Sequence, residues 1–191
     1  EAMVAQGSDC WPLRLARELD DAILDIRSNE LELAVIVFKS SGDIEQVAAY
    51  DAFLDANKDH WLAREIRSFW KRVLKRIDVT SRSLVAVIEP GSCFAGTLAE
   101  IALACDRSYM LIGQLNGSNQ TPATMMLSGV NFGAYPMPNG ISRLESRFLD
   151  NDEALKASRG RIGEALDADA AEELGLVTFA DYGQEITTEL F

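Results

Sequence analysis

Two short runs, apolar at nearly every position, constrain this chain most: Leu33 to Phe38 (LAVIVF) and Ser83 to Ile88 (SLVAVI). A strand with one wet face alternates apolar and polar residues. A continuous run suits a strand covered on both faces, as in a parallel sheet between helices. Helical spacing surrounds both runs. Pro12 precedes a stripe of Ala16, Leu19, Ile23 and Ile26 that stops at Ser28-Asn29. After the first run, Ser40-Ser41-Gly42-Asp43 reads as a turn whose Asp43 caps a helix carrying Ile44, Val47, Ala48 and Leu54. A longer helix runs from about Asp59 to Ile77, with Leu62, Ile66, Phe69, Val73 and Ile77 inward. After the second run, Pro90-Gly91 ends the strand, and Gly96 precedes the helical pattern Leu98, Ile101, Cys105.

Ser108 to Ile112 is a third strand, and Gly113 to Gly140 is loop apart from a strand at Thr124 to Leu127. Helices return around Ser142 to Leu149 and from Asp167 to Leu174, where Gly175 stops the pattern; Leu176-Val177 begins a last extended piece. Strand-helix alternation of this kind implies an α/β domain with largely parallel pairing.

With 191 residues, 48% apolar and 25% charged, the chain is expected to form one soluble domain. The count of 18 Lys and Arg against 30 Asp and Glu gives a formal charge of -12, which excludes nucleic acid and an anionic membrane surface as main partners. No apolar run approaches the roughly 18 residues of a membrane helix, and no secretory leader is visible. Three cysteines, Cys10, Cys93 and Cys105, without C-x-x-C spacing fit reduced thiols in a cytoplasm. The chain begins at Glu1 rather than Met, which leaves open that it is a fragment or half of a longer polypeptide.

Chemistry concentrates between Ser83 and Asp106, which reads as buried strand, Gly-containing turn, helix, then Cys105-Asp106. A turn entering a helix leaves backbone N–H groups without partners, and the helix dipole there favours negative charge. Thr97 sits in the first turn and Glu100 about one turn further in, where a carboxylate could move a proton beside a bound oxyanion. On pattern alone, Gly96 reads first as only a turn residue and Glu100 as only a helix-start carboxylate, since one Gly-rich turn before a helix is a weak signal.

These residues resemble the signature of the crotonase (enoyl-CoA hydratase/isomerase) superfamily. So do Leu19 to Arg27 followed by Leu33 to Phe38, the turn Ser41-Gly42-Asp43, and Ala165 to Val177 ending in Gly-Leu-Val. Within that superfamily four segments resemble the benzoyl-CoA-dihydrodiol lyase family: Asp59-His60-Trp61, Arg76 to Leu84, Ile88 to Thr97, and Val130 to Pro136. The resemblance implies a single crotonase-like domain, a spiral of ββα units, matching the C-terminal of two crotonase-like halves. It implies a carbon-carbon lyase that opens the ring of a benzoyl-CoA dihydrodiol with release of formate, in aerobic benzoate breakdown. Coenzyme A would enter as part of the substrate, with no separate cofactor and no metal.

By the same resemblance the Gly42 and Thr97 N–H groups converge on the thioester oxygen as an enolate forms. Glu100 is the acid/base, and Ser41, Gly96 and Asn131 lie against substrate. Three departures accompany it. Thr97 stands where the family has Gly, the preceding loop is one residue longer, and no Asp or Glu occurs between Asp106 and Glu145 to act as a second acid/base. Asn119, Thr124, Ser128 and Asn131 are the polar residues available there, none a good base at neutral pH. Two alternatives follow: a non-catalytic scaffold half that packs against an active one, and a generic enoyl-CoA hydratase or isomerase. A homo-oligomer or an intrachain partner half is expected.

His60 is the sole histidine, so a histidine-rich metal site and a Ser-His-Asp triad elsewhere are excluded; Asp59-His60 reads as a helix start. Cys93 and Cys105 read as small core or turn residues. Arg64, Arg67, Lys71 and Lys75 form a basic stripe, read as a solvated face, with a cradle for coenzyme A phosphates as the alternative. Tyr135-Pro-Met-Pro138 reads as a stiff loop that could border an acyl pocket.

Overall fold

The computed structural model describes residues 2–113 and 120–181. A short helix α1 (Ala2–Gln6) and a 3-10 turn (Gly7–Asp9) lead into α2 (Trp11–Asn29). Then follow β1 (Val35–Phe38), α3 (Ile44–Ala56), α4 (Trp61–Asp78), β2 (Ser83–Ile88), α5 (Gly96–Ala104) and β3 (Arg107–Leu111). The remainder holds β4 (Met125–Met126), a 3-10 helix (Gly129–Phe132), α6 (Arg143–Arg147), α7 (Asp152–Gly160), β5 (Ala165–Leu166), α8 (Ala168–Glu173) and β6 (Phe179–Asp181). β1, β2, β3 and β6 form a sheet in that order, parallel throughout, with Val37 opposite Val85 and Val85 opposite Arg107. β4 and β5 pair antiparallel, Met125 opposite Leu166.

The helices begin where local chemistry dictates. Asp43 accepts the N–H groups of Glu45 and Gln46 at the start of α3, and His60 Nδ1 accepts Leu62 N–H at the start of α4. One face of α4 is buried through Leu62, Ala63, Ile66, Trp70, Val73, Leu74 and Ile77. Trp70 goes deeper than Phe69, the residue expected inward, because its indole N–H reaches the Pro12 carbonyl at 3.0 Å while Arg72 covers Phe69. Arg76 pairs with Asp20 at 2.7 Å, joining α4 to α2.

β2 is covered on both faces, as its composition predicts. Leu84, Ala86 and Ile88 join the main core, while Val85 and Val87 pack with Tyr109 on the other face. Each of the Leu, Ile and Val side chains among them contributes about 1.5–3 kcal/mol of burial. The same expectation is corrected for the first run. β1 is an edge strand of four residues, and Val35 and Val37 remain 49% and 43% exposed. α7 has no counterpart in the sequence reading. Its apolar stripe is thin, and what starts it is the Asn151 side chain accepting Ala154 N–H. Among the described residues no helix is long and apolar enough to cross a membrane.

Candidate active site

The turn before α5 puts Ala95 in extended backbone and Gly96 at a φ of +43°, a left-handed conformation that favours glycine. The helix then starts wholly inside the protein: Gly96 through Leu103 are all buried. A helix start in a dry interior needs internal acceptors for its N–H groups. The acceptor here comes from α3. Asp51 Oδ2 takes the Thr97 N–H at 2.6 Å, and Asp51 Oδ1 takes the Thr97 hydroxyl at 2.5 Å. The Tyr135 hydroxyl lies 3.2 Å from Thr97 Oγ1. Burial pushes the Asp51 carboxyl up in pKa, against the two Thr97 hydrogen bonds and the Arg67 charge, which pull it down. Burial likewise pushes the Tyr135 hydroxyl up.

One turn on, Glu100 is 1% exposed. Its Oε1 accepts Asn131 Nδ2 at 2.7 Å, and its Oε2 accepts an Arg143 guanidinium hydrogen at 2.5 Å. Arg143 is as buried as Glu100 and also forks onto Asp78 at 3.0 and 2.7 Å. Two carboxylates therefore share one guanidinium in a dry interior. Burial raises the Glu100 pKa to about 7, with the Asp78 charge pushing the same way and Arg143 and Asn131 opposing. Asn131 ties the cluster together: its amide also donates to the Gly96 carbonyl at 2.9 Å, and its oxygen accepts Ser128 N–H at 2.8 Å.

Gly96, Thr97, Glu100 and Asn131 thus lie together. Ser41 and Gly42 lie on a separate, exposed turn. The Gly42 N–H donates to the Gly91 carbonyl at 3.0 Å, and the Ser40 hydroxyl accepts Cys93 N–H. The free pair of amides expected from Gly42 and Thr97 is therefore not what the structure holds: each hydrogen is engaged by an acceptor of the chain itself. Thr124 is half-buried, Ser128 caps the 3-10 helix, and Asn119 lies outside the described residues.

Asp51, Asp78 and Arg143 escaped the sequence reading, while Tyr135, read there as part of a stiff loop, reaches Thr97 instead. One signal was present for Asp51: it falls four residues after Val47 and three before Leu54, on the apolar stripe of its helix. A charge at such a position needs a buried partner. A surface groove of about 560 Å³ opens between α1 and α3, lined by Met3, Cys10, Tyr50 and Phe53 among others. Glu100 does not line it.

The remaining candidates stay outside this cluster. Cys10, Cys93 and Cys105 are buried free thiols, and burial raises the pKa of each, that of Cys105 to about 12. Such thiols are poor nucleophiles. Arg67 of the basic stripe pairs with Asp55 at 3.0 Å, while Arg64 and Lys71 face solvent. Among the described residues no three His, Cys, Asp or Glu are grouped to hold a metal ion.

No family model matches the chain. A benzoyl-CoA-dihydrodiol lyase from Aromatoleum evansii is 49% identical over 174 residues, covering 91% of this chain. The chain spans 30% of that relative's length. Among solved structures, an enoyl-CoA hydratase from Bacillus anthracis superposes with a TM-score of 0.61 at 17% identity, covering 93% of this chain and 64% of its own. One from Bacillus halodurans gives 0.58 at 18% identity, covering 93% and 66%. The chain has the α/β crotonase fold of the enoyl-CoA hydratases and is homologous in sequence to a segment of benzoyl-CoA-dihydrodiol lyase.

Proposed function

We propose that this chain serves an acyl-CoA lyase of the benzoyl-CoA-dihydrodiol type, and that it does so as a supporting half rather than as the half that performs the chemistry. The observation that carries the lyase reading is the 49% identity to a protein of that name. The substrate class is then a dihydrodiol of benzoyl-CoA. Water is consumed, and formate and an aldehyde-bearing acyl-CoA leave. Coenzyme A enters with the substrate, and the compartment is the cytoplasm, which suits three unpaired thiols. The partner is a second crotonase-like half or a second copy of the chain.

The supporting role follows from the occupied positions. An oxyanion needs donors that are free in the ground state and aimed where charge develops. Thr97 N–H is already held by a carboxylate, and Gly42 N–H by a carbonyl. A second reading keeps Glu100 as the acid/base, because a carboxyl raised to about 7 is well matched to proton transfer at neutral pH. That reading requires Arg143 to release it. A generic hydratase is disfavoured by the missing second carboxylate between Asp106 and Glu145.

Formate release from a benzoyl-CoA dihydrodiol by the polypeptide carrying this sequence tests both levels. Glu100→Gln should leave turnover within about threefold of wild type if the half is supporting. A loss of about 10²-fold or more assigns the chemistry to Glu100. No formate, with hydration of crotonyl-CoA instead, would overturn the lyase reading.

A further inference from the structure

We infer that the outer edge of β1 seats an extended segment of the partner half, which adds a further strand to the sheet and sets a carboxylate against Arg82. The inference rests on the supporting role proposed above and names the surface through which the chain meets its partner.

β1 stands at one end of the sheet order, with β2 on its inner side. The Ala34 carbonyl accepts the Ser83 N–H, and the alternation of a strand then turns the Val35 and Val37 N–H groups outward. Apolar side chains frame that edge. Leu31 and Leu33 are 73% and 46% exposed, and Val35 and Val37 share one exposed face. Val-Ile-Val-Phe contains none of the charges or prolines that ordinarily keep an open edge from pairing. An added strand would satisfy the outward backbone groups and bury these side chains together.

A second observation gives the charge of the occupant. Arg82 stands at the start of the same strand, where its Nη2 donates to the Glu30 carbonyl at 3.5 Å and its Nη1 to the Ser81 carbonyl at 3.0 Å. Its Nε is buried and has no hydrogen-bond partner among the described residues. Arg82 lines an open hollow of about 450 Å³ with Leu31, Leu33 and Ala34. A guanidinium held by two neutral carbonyls, with one N–H unmet, suits a carboxylate, which accepts parallel hydrogen bonds from such a fork.

Charge also decides against a second copy of the chain. Two β1 edges paired about a two-fold axis run antiparallel, which lays the Lys39 end of one beside the Arg82 end of the other. The chain spans 30% of its lyase relative's length, so the remainder of such a polypeptide holds ample sequence for one strand.

The test uses the polypeptide carrying this sequence. In wild type the Val35 and Val37 amides should exchange with solvent about 10²-fold or more slower than an open edge allows. Arg82→Gln should speed both by about tenfold. Open-edge exchange in wild type, or no change in Arg82→Gln, would overturn the inference. Arg82→Lys treated with a water-soluble carbodiimide gives a second reading that does not depend on the first variant folding. Peptide mass mapping should find position 82 joined to a carboxylate of the partner half. A junction to a carboxylate of residues 1–191, in the same or a second copy, or no junction at all, would contradict it. Formate release is measured apart from these readouts, so an unprotected edge with formate still released defeats this inference alone.

Discussion

The first turn of α5 and the turn after it bury carboxylates by opposite means. Asp51 is held at Thr97 by an amide and a hydroxyl, neutral groups whose dipoles stand in for water. Glu100 is held by a full charge, the Arg143 guanidinium, which Asp78 shares. The first arrangement depends on geometry and loses less when the carboxylate's charge is removed. The second depends on charge balance, and each member is costly without the others. In both turns the carboxylate is engaged by groups of the chain itself.

The largest effect expected from this contrast is at the charged cluster. Arg143→Met leaves Glu100 and Asp78 buried without a cation and should destabilise the fold by about 3–5 kcal/mol, read as a loss in denaturant midpoint. An unchanged midpoint would show that the cluster contributes little.

The next prediction concerns pH. Burial pushes the folded Glu100 carboxyl up to about 7 from its ordinary 4.5, so the folded state binds its proton more tightly than the unfolded state. Its contribution is fully present below about pH 4.5 and is lost as pH rises through about 7. The difference of 2.5 pKa steps (7 less 4.5) corresponds to about 3 kcal/mol. Asp51 and Asp78, also raised, act in the same direction. Denaturant titrations from pH 5 to 8 should therefore show falling stability in wild type and a flatter profile in Glu100→Gln. Parallel profiles would break the assignment.

Asp51→Asn sharpens the other side. It keeps the shape and weakens one charge-assisted bond, for a loss of about 1–3 kcal/mol by chemical denaturation. A loss as large as that of Arg143→Met would erase the distinction between the two turns. The smallest effect belongs to a carboxylate outside both. Asp43 caps α3 at the surface, and Asp43→Ala should cost about 1 kcal/mol, measured the same way.

The sequence was informative where structure is local. The two apolar runs located β1 and β2, Asp43 and His60 marked helix starts, and Gly96 marked the turn before α5. The resemblance brought Gly96, Thr97, Glu100 and Asn131 to one place. What it did not reveal was which groups are already taken. Asp51 meets Thr97 across 46 residues, Arg143 meets Glu100 across 43 and Asp78 across 65. Such pairings depend on how α3, α4 and α6 pack around α5, and no periodicity within a single segment encodes them. The exposed face of β1 was hidden for a similar reason, because edge position is a property of the sheet and not of the strand.

A crystal structure of the intact protein soaked with benzoyl-CoA tests the central claim most directly. The account predicts Asp51 at about 3 Å from the Thr97 nitrogen, with no thioester oxygen at that position. A thioester oxygen on the Thr97 N–H, with Asp51 swung away, would contradict it.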